Sequence, residues 1–421
     1  EYTAGAVQFY LHGGGTSGPS FSAVGTYTGV VETTAATSRL AIRTSGTTTL
    51  KVDNVSVKEI PGYHATQATA AKRPTYGIHP FGGRRNLLTF SEDFTNAAWA
   101  VFSVTKTGSQ TASYVGGLGG PNSRFIQNSS PVPGGSGSET ITVSAVVSGT
   151  GKFRVKNSHA GVFDNFSADI TLSVTPTLIS FTVTNGASAG TGLQNIGFAA
   201  ATTDEAFSIT AIDIQAELGP TRTAYQKVTS QYVVTETGVP SVYYLAFDGV
   251  DDAMATPSID FTATDEMSVF AGVRKLAGEA LAAVMELSPG AGNGIFGLFA
   301  PRRVGAQLDD YGIISKGTTR IDLNTEDAGY AAPHTAVMTG LADISAPSST
   351  LRINGAIGVS SAGSQGTGNY GNYPIYIGAR DTTSLYFNGH LYGLTVRGKL
   401  TDQPTVAKAE ALVAAKTGIS L

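Results

Sequence analysis

The chain has 421 residues, more than one compact core usually holds, and domain sizes of roughly 100 to 200 residues predict two to four modules. With 52 Gly and only 14% charged residues it describes short strands joined by tight turns, an all-β composition. The 27 Lys and Arg nearly balance the 31 Asp and Glu with no dense basic stripe, which argues against nucleic acid as a partner, and the absence of Cys excludes disulfides and thiolate metal sites.

In chain order, residues 6–60 and 152–218 form an unequal repeat when strand is laid on strand. Ala6–His12 parallels Lys152–Asn157, and a Thr/Val strand follows in each copy, Gly25–Thr34 and Thr175–Asn185. Leu40–Arg43 then parallels Asn195–Phe198. Both copies close on an alternating strand with an early Asp, Leu50–Val57 and Ile209–Ala216, whose alternation turns one face inward. The second copy has further strands ahead of its matched part, from Asn86-Leu87-Leu88 to Ile141–Val147, that supply the first half of a jelly roll. The first copy lacks them, so residues 1–60 are expected to be the C-terminal half of a jelly roll, completed by an upstream segment or by a partner, because half a sandwich exposes its edges.

Residues 61–85 hold Pro, Gly, Arg and His without usable periodicity and are read as a surface linker. The second jelly-roll module is expected over 86–228, a second linker over 229–242, and a third module over 243–421. In the last, Tyr244–Phe247 ends at the turn Asp248-Gly249, Met267–Val273 alternates as a sandwich strand, Asn354-Gly355 suits a type I′ hairpin, and Ile375–Gly378 and Leu391–Val396 continue the sheet. One helix is predicted, with Asp402 as N-cap, Pro404 in the first turn, an apolar stripe of Val406, Ala409, Leu412 and Val413, and Gly418 at its end. No apolar run approaches the roughly 18 residues that span a bilayer, so membrane insertion is not expected.

Asn86–Phe94, followed by Ala97-Ala98-Trp99, resembles the opening of carbohydrate-binding-module-like jelly rolls in tailed-phage and prophage proteins. Ile212–Gly219 and Val52–Glu59 look like the closing strands of such modules. Leu245–Asp252 and Phe387–Leu394 are similar to concanavalin A-like (laminin G-like) domains of phage structural proteins, and His64–Thr75 resembles the segment that often precedes such a domain. The resemblance implies tandem jelly-roll sandwiches ending in a concanavalin A-like sandwich. It also implies a virion spike, fibre or gene-transfer-agent-like decoration on the particle surface, extracellular after release, that contacts host surface or capsular polysaccharide alongside other virion proteins. A homo-oligomer is expected on the same ground.

A retaining glycosidase on such a sandwich needs two carboxylates about 5 Å apart. The nearest string, Asp213-Ile214-Gln215-Ala216-Glu217, lacks a leading Glu because Ala211 stands there. No Gly-x-Ser-x-Gly elbow and no His pair at i, i+4 occurs, so neither a serine triad nor a helical zinc site is indicated, and no enzyme is expected. Asp248, Asp251 and Asp252 are read as a turn. The resemblance implies a structural Ca²⁺ where first and last strands meet, with Glu92, Asp93 and Asp213 as ligands. For sugar, an exposed aromatic ring ringed by polar groups is required. Tyr370, Asn372 and Tyr373, with Arg380 shortly after, and Asp309 with Tyr311 are the candidates; the alternative is that the tyrosines pack on a neighbouring strand or subunit. Trp99 is read as a core anchor. A polysaccharide-binding adhesin, a structural decoration protein without glycan binding, and a polysaccharide depolymerase are the functions that remain, in that order.

Overall fold

The computed structural model describes residues 6–12, 17–21, 39–45, 64–131, 139–159, 163–185, 193–278, 280–288, 292–304, 307–326 and 328–421. The fold is all-β, with a single α-helix among the described residues. Two compact units emerge, Glu1–Gly62 and Tyr63–Leu421.

In the first unit, β1 (Ala6–His12) lies between β2 (Ser17–Phe21) and β3 (Arg39–Ser45), antiparallel to both. The expected strands Gly25–Thr34 and Leu50–Val57 lie outside the described residues.

The second unit opens with β4 (Thr75–Pro80). The second module then contributes β5 (Trp99–Phe102), β6 (Thr105–Lys106), β7 (Thr111–Tyr114), β8 (Phe125–Pro131), β9 (Thr140–His159), β10 (Phe163–Phe166), β11 (Ile170–Thr171), β12 (Thr177–Thr184), β13 (Leu193–Ala200) and β14 (Phe207–Leu218). The long β9 serves both layers. Its first half pairs with β12 and β14, and its second half pairs with β13, β10 and β11. Gly149 and Gly151, both at positive φ, make the passage, and a Cβ on either would strike the backbone carbonyl of Ser208 or Ala206. β9 sits between β10 and β13 as β1 sits between β2 and β3, all antiparallel, so the two segments matched in sequence share one strand order. Leu88, Phe94, Phe153, Val155, Ile196 and Phe198 fill the space between the layers. Trp99 is buried there too, edge-on to Phe94, with its indole N–H donating to the Phe90 carbonyl at 2.8 Å.

The third module adds β15 (Gln226–Ser230), β16 (Val233–Glu236), β17 (Ser241–Asp248), β18 (Met254–Ala255), β19 (Ile259–Asp260), β20 (Glu266–Lys275), β21 (Ala283–Leu287), β22 (Ile295–Val304), β23 (Gln307–Lys316), β24 (Arg320–Asn324), β25 (His334–Asp343), β26 (Ser348–Ile353), β27 (Ala356–Ser361), β28 (Asn372–Tyr373), β29 (Ile375–Ile377), β30 (Asn388–Arg397) and α1 (Gln403–Thr417). A nine-stranded sheet of order β15-β16-β4-β17-β30-β20-β25-β26-β27 packs against a six-stranded sheet of order β18-β29-β21-β22-β23-β24. Met267, Val269, Phe296, Leu298, Ile313 and Met338 lie between them.

That order corrects both expected linkers. β4 lies within 61–85 and pairs with β17, while β16 and the start of β17 occupy 229–242. Thr66 bridges to Ala255 and the Gln67 side-chain amide donates to the Ala253 carbonyl, so the stretch ahead of β4 is also built into the third module. The alternation of β4 is hidden in the sequence because Gly77 holds the position where a side chain would show it. A Cβ there would run into the ring of Tyr244, which fills the space from β17. The second module is therefore an insertion, leaving the third module's sheet after β4 and returning at β15.

The two crossings are tied together by amides. Asn86, fully buried, donates to the carbonyls of Ile214 and Gln226 at 3.0 and 2.8 Å and accepts from the amides of Leu88 and Ala216, both at 3.2 Å. Gln226 accepts from the amides of Arg85 and Asn86 and donates to Glu236, which also pairs with Arg85 at 2.7 Å.

α1 covers part of the outer face of the nine-stranded sheet, setting Val406, Val413 and Ala414 on Phe270, Val337 and Leu341. Asp402 and Gly418 bound it as expected, though the Asp402 side chain makes no capping bond. The expected stripe needs correction. Leu412 is exposed, and the inner face instead buries Glu410, whose carboxylate takes the Arg352 guanidinium of β26 at 2.8 Å. An apolar count cannot anticipate a buried ion pair.

Candidate functional site

Of the three tyrosines expected to bind sugar, two are core. Tyr370 is 1% exposed, edge-on to Phe296, with its hydroxyl on Ser315 Oγ at 2.7 Å. Tyr311 is 0% exposed, its hydroxyl meeting His334 Nδ1 at 2.8 Å and its ring lying under the Lys275 ammonium. Burial pushes both phenols up. The glycines around Tyr370 mark close backbone approach. The Gly371 amide donates to the Gly294 carbonyl at 3.0 Å, and a Cβ on Gly294 would collide with the 369–371 backbone. Asp309 and Tyr311 lie within β23, and Asp309 faces Lys275 at 3.6 Å. Arg380 is held by Glu286 at 2.8 to 3.0 Å. Tyr373 is half-buried, donating to the Asn293 carbonyl at 3.0 Å, and Asn372 is exposed beside it on β28. These six do not form one ring-lined surface.

The proposed calcium ligands assemble only in part. Glu92 and Asp213 meet, with Asp213 at a β-bulge and positive φ. Asp93 turns away to cap Thr95 at the surface. Burial alone would raise Glu92, but the Lys227 ammonium at 2.8 Å, with help from Tyr225 and the Asp213 amide, holds it low. Burial and the Glu92 charge raise Asp213. Two carboxyl groups sharing a lysine do not make the six to eight oxygen ligands that calcium takes, so this set does not fit the ion. Asp248, Asp251 and Asp252 converge within 4.8 Å, but the Asp248 carboxylate is engaged by the amides of Val250, Asp251 and Asp252, the geometry of a turn.

An arrangement suited to a ligand lies instead on the outer face of the second module. On β9, Phe153 and Val155 point inward, so Arg154 and Lys156 take the outer face, and on β5 and β8 the cross-strand pair Phe102–Phe125 does the same. Between them on β13 stand Ala199 and Gly197. Because Gly197 has no side chain, Lys156 leans across it to donate to Gln127 at 2.8 Å and to place its ammonium 3.6 Å over the Phe125 ring. Phe102 stacks on Phe125 at 6.1 Å and 28°, and the Arg124 guanidinium lies 5.2 Å from the Phe102 ring. The result is a ledge ordered guanidinium, ring, ring, ammonium, with Phe102 51% exposed, Arg124 and Phe125 half-buried and Lys156 5% exposed. Arg124 is set by the carbonyls of Leu118 and Gly119 and by Ser103 Oγ. Among the described residues neither Arg124 nor Lys156 forms an ion pair, whereas Arg154 nearby has Asp169 at 3.8 Å and Lys152 has Glu205 at 3.0 Å. Burial lowers Lys156, with Asp164 opposing.

Sequence reasoning missed Phe102 and Phe125 by seeking rings in loops. The alternation Lys152-Phe153-Arg154-Val155-Lys156 does announce a polar outer face, but that the two rings lie on it depends on register across three strands.

The class these features define is a multi-module β-sandwich protein with an aromatic and cationic ledge. No protein-family model and no curated protein matches the chain. Among solved structures it is similar to the NanB sialidase from Streptococcus pneumoniae in complex with 2-[(3-chlorobenzyl)ammonio]ethanesulfonate, at 15% identity over 38% of this chain and 27% of that one, TM-score 0.29. It is also similar to the binding domain of Paraclostridial Mosquitocidal Protein 1, at 13% identity over 42% and 43% of the chains, TM-score 0.31, and to the binding domain of Botulinum Neurotoxin DC in complex with SialylT, at 9% over 41% and 42%, TM-score 0.31. The chain spans about a quarter of NanB.

Proposed function

We propose that the protein is a polysaccharide-binding adhesin that displays the second module's outer face to its ligand. The ledge of Arg124, Phe102, Phe125 and Lys156 carries this reading. A half-exposed phenyl ring offers a dry surface to the C–H face of a sugar, and the half-buried Arg124, with no ion-pair partner among the described residues, favours an acidic one, while the Lys156 ammonium, 5% exposed against Phe125, adds positive charge. The adhesin belongs on the surface of a tailed-phage or phage-like particle, on the resemblance of Asn86–Phe94, Leu245–Asp252 and Phe387–Leu394 to phage modules, as one subunit of a homo-oligomer among other virion proteins. Binding rather than hydrolysis is proposed because, of the carboxyl groups brought together, Glu92 is paired with Lys227 and Asp248 is taken up by the amides of its own turn.

Phe102→Ala with Phe125→Ala should lower affinity for an acidic capsular polysaccharide at least tenfold, read by biolayer interferometry. Arg124→Gln should lower it several-fold and flatten its salt dependence. Unchanged affinity in the double variant removes the ledge as the site, equal binding to encapsulated and capsule-free cells favours a structural decoration role, and release of reducing sugar establishes a depolymerase.

A further inference from the structure

A second aromatic surface lies on the third module, in the overhang created by β4, β15 and β16. Tyr76 on β4 and Tyr243 on β17 are diagonal neighbours on one face, since Tyr76 pairs with Leu245 and Tyr243 with Ile78. Their rings are near-parallel, at 25° with centroids 6.0 Å apart, and are 60% and 55% exposed. Among the tyrosines whose side chains are described, all others are buried or half-buried, and these two exposed ones are set against each other. Among the described residues neither hydroxyl has a hydrogen-bond partner.

The surroundings limit what can sit there. Ile78, Leu245, Val233 and Thr235 flank the pair and are half-buried, and the nearby Lys227 on β15 is paired with Glu92. The exposed part of two tyrosine rings amounts to roughly 250 Å², well short of the roughly 800 Å² per partner that a stable protein interface buries. The surface is thus small, flat, uncharged and edged with free phenolic donors and acceptors. Both tyrosines stand on paired strands, which fixes them before binding and lowers the entropic cost of capture.

We infer that Tyr76 and Tyr243 form a second glycan-binding site that stacks an uncharged sugar ring and hydrogen-bonds its hydroxyls, making the chain a two-site binder. The site is independent of the ledge on the second module, and the two readings fail separately.

The test prints neutral and acidic glycans on one array and probes it with wild-type protein, Tyr76→Ala/Tyr243→Ala and Phe102→Ala/Phe125→Ala. Neutral-glycan signals should fall at least tenfold in the tyrosine variant and persist in the phenylalanine variant. Tyr76→Phe/Tyr243→Phe should keep part of the signal, since it removes only the hydroxyls. Because both side chains are open to solvent, the thermal midpoint of the tyrosine variants should match wild type. The inference is overturned if no neutral glycan binds, if neutral binding is indifferent to the tyrosine pair, or if sedimentation shows a self-association of wild type that Tyr76→Ala/Tyr243→Ala abolishes. Loss of acidic-glycan binding in the phenylalanine variant alone bears only on the ledge.

Discussion

Asn86→Ala is expected to destabilise the second unit by about 3 kcal/mol, because four hydrogen bonds converge on a fully buried amide and each group left alone costs about 1 to 3 kcal/mol before relaxation. The loss should reach both modules. Asn86 ties Ile214 and Ala216, on the closing strand of the second module, to Gln226, with which the chain re-joins the third module's sheet. Denaturant titration should show a lower midpoint with an unchanged slope, and the amides of Leu88 and Ala216, which donate to Asn86, should exchange faster. Asn86→Asp keeps the acceptor but sets a carboxylate against two carbonyls, so it should be no better than alanine. A shift below about 0.5 kcal/mol, the usual size for a surface change, would mean that the crossings do not depend on this side chain.

The sequence resemblance that opens on Asn86-Leu87-Leu88 thus begins at a structural clamp, which explains why a polar residue leads an otherwise apolar run. The all-β class, the core role of Trp99, the helix with its glycine stop and the turn at Asp248 were legible because each rests on local signals of alternation, capping or turn chemistry. What was not legible depended on distant partners. β4 was hidden because Gly77 gives its place to a ring from β17, and the insertion of the second module followed from that one omission. Glycines flanking Tyr370 suggested an open loop, whereas Gly371 gives its place to the Tyr373 ring and the facing Gly294 admits the 369–371 backbone. The ledge and the tyrosine pair were missed for the converse reason. Phe102, Phe125, Tyr76 and Tyr243 occupy strands whose apolar residues normally point inward, and they lie outside only because of register or because the facing sheet has ended.

Asp309→Asn is expected to cost about 1 kcal/mol at pH 7, where Lys275 answers the lost charge by giving up its proton, and Lys275→Met to stabilise the protein, because Lys275 is a cation held inside the third module on weak terms. Its side chain is 0% exposed, and its ammonium has the Tyr311 ring at 4.5 Å and Asp309 at 3.6 Å, a separation too long for a hydrogen bond. Asp310 is close enough to add attraction, while His334 adjoins and is itself lowered by burial and by Lys275. Burial, only partly offset by Asp309, brings the Lys275 amine down to about 8 from the ordinary 10.5. The unfolded chain therefore holds this proton more tightly than the folded one, and between those two values stability should rise with pH as the unfolded state gives up a proton that the folded state has already lost. Below about pH 8 both states are protonated and the full penalty remains. Lys275→Met removes it, and Asp309, with a quarter of its side chain open to solvent, can take water in place of the lysine. The expected gain is about 2 kcal/mol at pH 7, shrinking toward zero by pH 10. Asn at 309 keeps the positive φ that Asp309 adopts there, so its cost reports the lost charge rather than backbone strain. Denaturant midpoints of wild type, Lys275→Met and Asp309→Asn at pH 7 and pH 10 decide the matter. A methionine variant less stable than wild type at pH 7, or a wild-type advantage that does not move between the two pH values, would mean that Lys275 is well paired and ionised throughout.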